Sequence, residues 1–597
     1  MPRDKALPIS DDFASVDEYV DSLLSFASTT DIFQILCGGV HILDFFTNDP
    51  GLFYWAIPEE WQFFLLECDP MALLDFLMRD DLSEPHSSER AWPEPPESLL
   101  QYVKDIRRHS LNRSFTPVKQ KLPIIPRNIA MGMKPKKVHE VVNFADFVDR
   151  LAEDVAVKSG NELTHFIDFG SGQNYLGRTL ASAPYSKHVV AVESKEANTV
   201  GAKELDMLSG IAEMEKVLRN KKAWLQYLDS QKSVDELDEK ALRRATRPPA
   251  LTEEQLQATD MRPRSELKGT YRPEEGKGFI KYVVGRLETG DLTGVLNQIE
   301  DEDIPEDQKK ELRLMAISIH SCGNLSHFGI RSMILNPSIK AVAIVGCCYN
   351  LLTEKLGPAT YKLPYMRPSL QAINGRVVRE SERYDPQGFP MSDRVSNHEG
   401  RGIRFNITAR MMACQAPQNW TDKESDGFFT RHFYRAVLQK LFLDKGVISK
   451  VYHNSPDDDI QRPEKESPFN TSTNPVILGS LSKSCYGSFN AYVRGAIKKL
   501  TTHSDYSQYS EVIKEKMGGI QDEEIARYEE EYRPRKRELS AIWSLMAFSA
   551  CVVESLIVTD RWLFLREQTE IVRDCWVETV FEYQQSPRNL VVVGIKR

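Results

Sequence analysis

A chain of 597 residues is longer than one compact core usually holds, so two domains or one heavily decorated domain are expected. Its 41% hydrophobic and 27% charged content is that of a soluble globular protein, and a net charge of −10 excludes a globally basic nucleic-acid coat while leaving room for a local basic groove. Nine scattered cysteines do not form a disulfide framework, and Met1-Pro-Arg-Asp-Lys leads into no apolar core of a signal peptide, so an intracellular place, cytoplasmic or nuclear, is expected.

Residues 1–125 read as a helical region, with apolar residues at three- and four-residue spacing over Val16–Phe26 and Ile32–Phe46. Phe53-Tyr-Trp55 and Trp61-Gln-Phe-Phe64 read as core aromatics, and Trp92-Pro-Glu-Pro-Pro96 as a linker. A helix opening near Lys134 and running to about Leu151 is expected beside the first strand. From Leu163 strands and helices alternate, so residues 126–597 read as one α/β domain. Strands are expected at 164–168, 188–192, 279–284, 314–320 and 341–345, their near-continuous apolar runs suiting a parallel sheet covered on both faces. Charged insertions interrupt the pattern at about 210–277, part helical and part disordered, and at about 355–425. Helices follow at about 428–443, 488–500, 506–530 and 536–568. The apolar run Ala541–Val558 contains Glu554 and several serines and reads as a buried helix rather than a membrane span. Two strands around Ser586-Pro-Arg-Asn589 close the chain.

Three clusters carry chemistry, and all belong at the carboxyl ends of the strands, where open α/β sheets bind ligands. The first is Asp168-Phe-Gly170-Ser171-Gly172-Gln-Asn174 after the first strand, with Glu193 at the tip of the second. Glycines at 170 and 172 allow close backbone approach to a ligand, and an acid twenty residues on can accept both ribose hydroxyls. A dinucleotide fingerprint needs a further Gly or Ala that is missing here. Asp-x-Gly-x-Gly with a distal acid looks instead like the S-adenosylmethionine site of class I methyltransferases. Asp168 would order the turn, the backbone of 170–174 would face the methionine moiety, and Asp291 after the third strand would reach the adenine amine. The second cluster is His320-Ser-Cys322-Gly-Asn324 after the fourth strand, facing the transferred methyl group; His320, suited to proton transfer, Cys322 and Asn324 are the candidate catalytic residues. The third is Gly346-Cys347-Cys348-Tyr349-Asn350. Adjacent cysteines point to opposite sides of an extended chain, and no Cys-x-x-Cys anchors a knuckle, so no metal ligand is assigned. Lys134, Lys136, Lys137 and His139 are candidates for an acidic or phosphorylated acceptor. Arg533-Pro-Arg-Lys-Arg537 reads either as a phosphate or nuclear-import patch or as the balance to the acidic run before it.

As an ordered series, Lys136-Lys-Val-His-Glu140, Asp168-Phe-Gly-Ser-Gly172, His320-Ser-Cys-Gly-Asn-Leu325, Val345-Gly-Cys-Cys-Tyr-Asn-Leu-Leu-Thr-Glu354, Gly388-Phe-Pro-Met-Ser392, Ala409-Arg-Met-Met-Ala-Cys-Gln415 and Ser586-Pro-Arg-Asn-Leu590 resemble the eukaryotic methyltransferase-like family sometimes called "ribosomal RNA adenine dimethylase domain-containing". The resemblance implies a class I fold, a mostly parallel sheet with an antiparallel last strand, and an S-adenosylmethionine-dependent enzyme. Where that family tends to carry Lys-Gly after Gly172, this chain has Gln173-Asn174. Enzymes that methylate the adenine amine also need a proline- and aromatic-bearing loop after the fourth strand, which Ser321-Cys-Gly-Asn-Leu-Ser326 lacks. His-x-Cys-Gly with a Cys-Cys pair is similar to the tRNA 2′-O-ribose methyltransferases of the Lys-His-Leu-Cys-Gly type. The expected acceptor is therefore RNA, a ribose hydroxyl before an adenine amine, or else protein. No membrane partner is expected. The alternative is a catalytically silent methyltransferase fold acting as a scaffold or binding subunit.

Overall fold

The computed structural model describes residues 5–82, 93–118, 121–215, short pieces between 225 and 247, 269–271, 276–300, 311–356, 385–452 and 471–597. Its centre is a seven-stranded sheet: β1 His165–Phe169, β2 His188–Glu193, β3 Phe279–Val284, β4 Leu314–Cys322, β5 Ile339–Cys347, β6 Val572–Thr579 and β7 Leu590–Lys596. Across the sheet they lie in the order 3-2-1-4-5-7-6. Neighbours from β3 to β5 are parallel, whereas β7 runs antiparallel to both β5 and β6. This is the α/β class I methyltransferase arrangement that the motifs implied.

Successive side chains of a strand face opposite sides, and here both sides are buried. Phe166, Val189, Met315, Ile317, Ala341, Ala343 and Val345 enter one core; Ile167, Val190, Ala316, Val342 and Ile344 enter the other. Helix α4 (Pro135–Ser159) supplies Phe144, Phe147, Val148 and Leu151 to the first core and ends on Gly160 in the left-handed region. On the other face, α7 (Leu325–Leu335) and the 32-residue α10 (Lys536–Glu567) pack together with the front-end helices α1 (Val16–Thr29), α2 (Pro70–Met78) and α3 (Glu97–His109). One apolar core therefore runs from Leu7 through α10 to the sheet. Between these elements lie α5 (Tyr175–Ala181), α6 (Glu196–Ser209), α8 (Asp422–Asp444) and α9 (Phe489–Thr502).

Helix α10 lies in a stretch long and apolar enough to cross a membrane, yet 94% of that window is buried inside the protein. Its polar side chains are answered there: Glu554 by Arg113 and Arg588, Asp560 by the backbone of Met391 and Ser392, and Arg561 by Ser326. The helix expected over Ile32–Phe46 breaks into short pieces at Gly38-Gly39, where propagation is poor. Residues 506–530 form two helices, Ser507–Met517 and Asp522–Tyr532, separated at Gly518-Gly519. Phe53 and Trp61 are core residues, but Trp55 and Phe63 are exposed. Most of the first insertion, including Pro248 and Pro249, and residues 357–384 of the second lie outside the described residues. The described remainder of the second insertion returns to the segment after β5, where Glu354 forms an isolated bridge with Phe389.

Candidate active site

The turn after β1 is built from backbone. Gly170 and Ser171 donate to the Val192 carbonyl at 2.9 and 3.2 Å, fastening the turn to β2. Glu193 then clamps it, accepting from the Gly172 amide at 2.9 Å and the Lys195 amide at 2.8 Å. Gly170 and Gly172 both take positive φ, 67° and 56°, and no atom lies within 4 Å of where a Cβ on Gly172 would sit. Asn174 is also left-handed, at φ 53°, a conformation that asparagine tolerates better than most side chains. The asparagine here and the glycine of the resembled family thus meet the same backbone need. The Asn174 amide donates to the Tyr282 hydroxyl at 3.0 Å, which donates to Asp206, itself paired with buried Arg178 at 2.8 Å.

Two observations fit this loop to a polar, cationic ligand. The Ser171 hydroxyl is buried without a hydrogen-bond partner among the described residues. Asp168, 3% exposed, makes no side-chain hydrogen bond among them either. Burial, opposed by Lys137 and reinforced by Glu193, raises its carboxyl to about 8.

The ends of β4 and β5 are built from side chains. His320 takes φ 62°, and the β4–β5 register shifts there between Ile319 and Ser321. This bulge turns the His320 ring toward α4, where Nε2 lies 2.7 Å from Glu140 Oε1. Glu140 is completely buried and also accepts from Lys137 at 2.6 Å and Ser586 at 2.8 Å. Burial alone would raise its carboxyl, but the bonds and charges of His320 and Lys137 outweigh that and hold it at about 2. An ionised Glu140 can only accept, so in the neutral ring Nε2 carries the hydrogen and Nδ1 is left as the basic nitrogen. Ser318 Oγ donates to the Phe169 carbonyl at 2.7 Å, and Leu325 packs on Gly170, so this end adjoins the glycine turn.

The same bulge sets Cys322 opposite Cys347. The expectation that Cys347 and Cys348 face opposite ways does not hold, because Cys348 is left-handed (φ 48°, ψ 53°) and its sulfur turns back. The Sγ atoms of Cys322, Cys347 and Cys348 lie 3.3–3.5 Å apart. Hydrogen bonds from Cys322 and Cys347 lower the Cys348 thiol against the effect of burial, so the cluster favours one thiolate shared among three sulfurs.

Residues 136–355 match a family model described as a methyltransferase domain. That stretch is similar to a methyltransferase domain. The chain is 26% identical over 534 residues to the human "Probable methyltransferase-like protein 25", across 78% of this chain and 75% of that protein. It is 30% identical over 287 residues to the mouse protein of the same description, across 47% of this chain and 37% of the relative. No solved structure matches the chain. These likenesses support a methyltransferase; the adenine-dimethylase designation rests on motif resemblance alone.

Within residues 136–355, Asp168, Gly170, Ser171, Gly172, Asn174 and Glu193 surround one turn, and His320 and Cys322 stand at the adjacent strand end. Asp291 is not brought to them. It is exposed and caps the helix Thr293–Glu300 through Thr293, while its loop is fastened to Asn336, just past the C-terminal end of α7. Asn324 faces away from the turn, bonding Thr353 at 2.6 Å and Asp385 at 3.1 Å, and so ties the β4 loop to the second insertion. Of the basic candidates, Lys137 is taken up by Glu140 at 2.6 Å; Lys136 is exposed and reaches the same carboxylate at 3.8 Å, and Lys134 is exposed at the mouth of α4. A cavity of about 830 Å³ opens beside the β6–β7 turn, lined by Arg79, Arg113, Asn419, Glu554 and Tyr583.

Glu140 is the site residue that the motif reading did not single out. Its signal was present: it lies at helical spacing with Phe144, Phe147 and Leu151, an acid on an apolar stripe.

Proposed function

We propose that this chain transfers a methyl group from S-adenosylmethionine to a ribose hydroxyl of RNA, with His320 as the general base. The observation that carries the reading is the His320–Glu140 pair, held at 2.7 Å at the end of β4 beside the glycine turn. A hydroxyl must lose its proton to become a methyl acceptor, and a ring oriented by a buried carboxylate is the arrangement such a step uses. S-Adenosylmethionine, when bound, supplies an electrophilic methyl on a sulfonium. Asp168, the Ser171 hydroxyl and the backbone of 170–174 would hold its charged end, and Glu193, which keeps unused lone pairs, its ribose. At the ends of β4 and β5 the phenol ring is that of Tyr349, and its hydroxyl is committed to Glu554 at 2.7 Å in the interior. Among the described residues no Phe, Tyr or Trp ring is thus offered there to stack on a flipped base, which favours ribose over adenine. Lys134 and Lys136 supply charge for a phosphate backbone at the mouth.

Calorimetric titration of the purified chain with S-adenosylmethionine and S-adenosylhomocysteine, followed by labelled-methyl transfer onto cellular RNA and protein fractions, tests the reading. The expected result is binding, and label in RNA nucleosides whose linkages resist alkaline cleavage. Label in protein would overturn the ribose assignment. Binding without transfer to any fraction would favour the scaffold role.

A further inference from the structure

We propose that Cys322, Cys347 and Cys348 bind one thiophilic divalent metal ion, Zn²⁺, through three thiolates, with its fourth position open to solvent. The inference rests on the thiols and is independent of the methyl-transfer reading.

The three sulfurs form a nearly equilateral triangle with sides of 3.4, 3.3 and 3.5 Å. Zinc bound at ~2.3 Å in a tetrahedron places its sulfurs ~3.8 Å apart, so each need move only a few tenths of an ångström. An ion at that distance sits ~1 Å off the sulfur plane and fills a three-legged cap, leaving one position unfilled. Cys347 is buried, Cys348 half-buried and Cys322 exposed, so the cluster is anchored from within and reached from outside.

The backbone supports the same conclusion. The left-handed region is unfavourable for non-glycine residues, yet two of them, His320 and Cys348, end adjacent central strands. Their joint result is convergence of three sulfurs that an extended β4 and β5 would keep apart. A tris-thiolate zinc centre carries net negative charge, and two cations stand on its inner side: buried Arg561 packs against Gly346 beside Cys347, and part-buried Arg588 lies toward Cys348. The other described cysteines, such as Cys37, Cys68 and Cys485, do not enter a comparable cluster.

The test uses the full chain, purified without added metal. Elemental analysis should find about one zinc per chain, falling at least tenfold in the Cys347→Ser/Cys348→Ser variant with unchanged circular dichroism. Should that variant fail to fold, the wild type decides. The metal-stripped protein titrated with Co²⁺ should develop thiolate-to-cobalt charge-transfer absorption and the visible bands of a tetrahedral ion. Zn²⁺ should slow alkylation of Cys322, Cys347 and Cys348 at least tenfold, as read by mass spectrometry, and leave Cys485 unchanged. A folded wild type without zinc and silent toward Co²⁺ would overturn the proposal. So would protection confined to other cysteines, or a disulfide among the three in protein purified under reducing conditions.

Discussion

The two halves of the candidate site are made of different material. Around β1 and β2 the backbone does the holding: main-chain amides of Gly170, Ser171, Gly172 and Lys195 fix the turn, and positive φ falls on two glycines and an asparagine. Around β4 and β5 side chains do it, through a buried glutamate and thiols in contact, and positive φ falls on His320 and Cys348 as well as on Gly323. The first half can be specified within one βαβ unit. The second must be assembled from far along the chain: Glu140 lies 180 residues from His320, and Ser586 lies 446 from Glu140. A site for a ligand with a fixed shape can be local, whereas a site that orients a base depends on the whole fold.

The largest effect that would test this division is on turnover. His320→Ala should lower kcat by about 10²–10⁴-fold, the range of a general base, while cofactor affinity stays within about twofold. Equal loss in both would make His320 a structural residue and erase the distinction. Glu140→Gln is the finer probe, because it keeps shape and removes charge. It should move the pH profile of kcat as well as its height, which lost packing alone would not do.

Stability should divide the same way. Glu554 accepts from Tyr349 at 2.7 Å and pairs with Arg113 and Arg588 at 2.6 and 2.5 Å, all in the interior behind β5. Burial raises its carboxyl, but the two arginines outweigh that and lower it. Glu554→Leu leaves two part-buried guanidinium groups without their carboxylate and the Tyr349 hydroxyl without its acceptor, and should cost about 3 kcal/mol in chemical denaturation. Glu193 clamps only a turn at the sheet edge, so Glu193→Ala should cost about 1 kcal/mol in the same measurement. Comparable losses would mean that both halves lean on buried charge.

This contrast also explains what the residues disclosed before any fold was known. The five parallel strands, the glycine turn and the closing hairpin were legible because apolar runs, Gly-x-Gly and Ser-Pro-Arg-Asn are local signals. Asp291 was named on its distance after β3, and spacing does not say that Asn336 fastens its loop at the end of α7. Cys347 and Cys348 misled because side-chain alternation assumes an extended chain, and Cys348 leaves it. Glu140 passed as part of a basic motif, although an acid on a helix's apolar stripe must find a buried partner.

A smaller effect should appear in cofactor affinity. Glu193→Ala should weaken binding of S-adenosylmethionine by about 1.5–3 kcal/mol, the scale of lost charge-assisted hydrogen bonds, with turnover of the saturated enzyme little changed. If calorimetry instead finds the affinity unaltered, Glu193 serves only as the clamp on Gly172, and the ribose is held elsewhere.

The smallest expected effect is a pH dependence of that affinity. Burial lifts the Asp168 carboxyl to about 8, with Lys137 pulling it down and Glu193 pushing it up. A cationic ligand binds the ionised form, so loading the site at neutral pH must expel a proton. Affinity should rise about tenfold for each pH unit well below 8 and flatten above it, with a gain of about fivefold, about 1 kcal/mol, between pH 7 and 8. Titrations in buffers of different ionisation enthalpy should register the released proton, and Asp168→Asn should remove both the release and the slope. The opposite slope, with tighter binding toward acid, would mean that the protonated carboxyl donates to the ligand. The cofactor half would then hold its charge through Glu193 rather than Asp168.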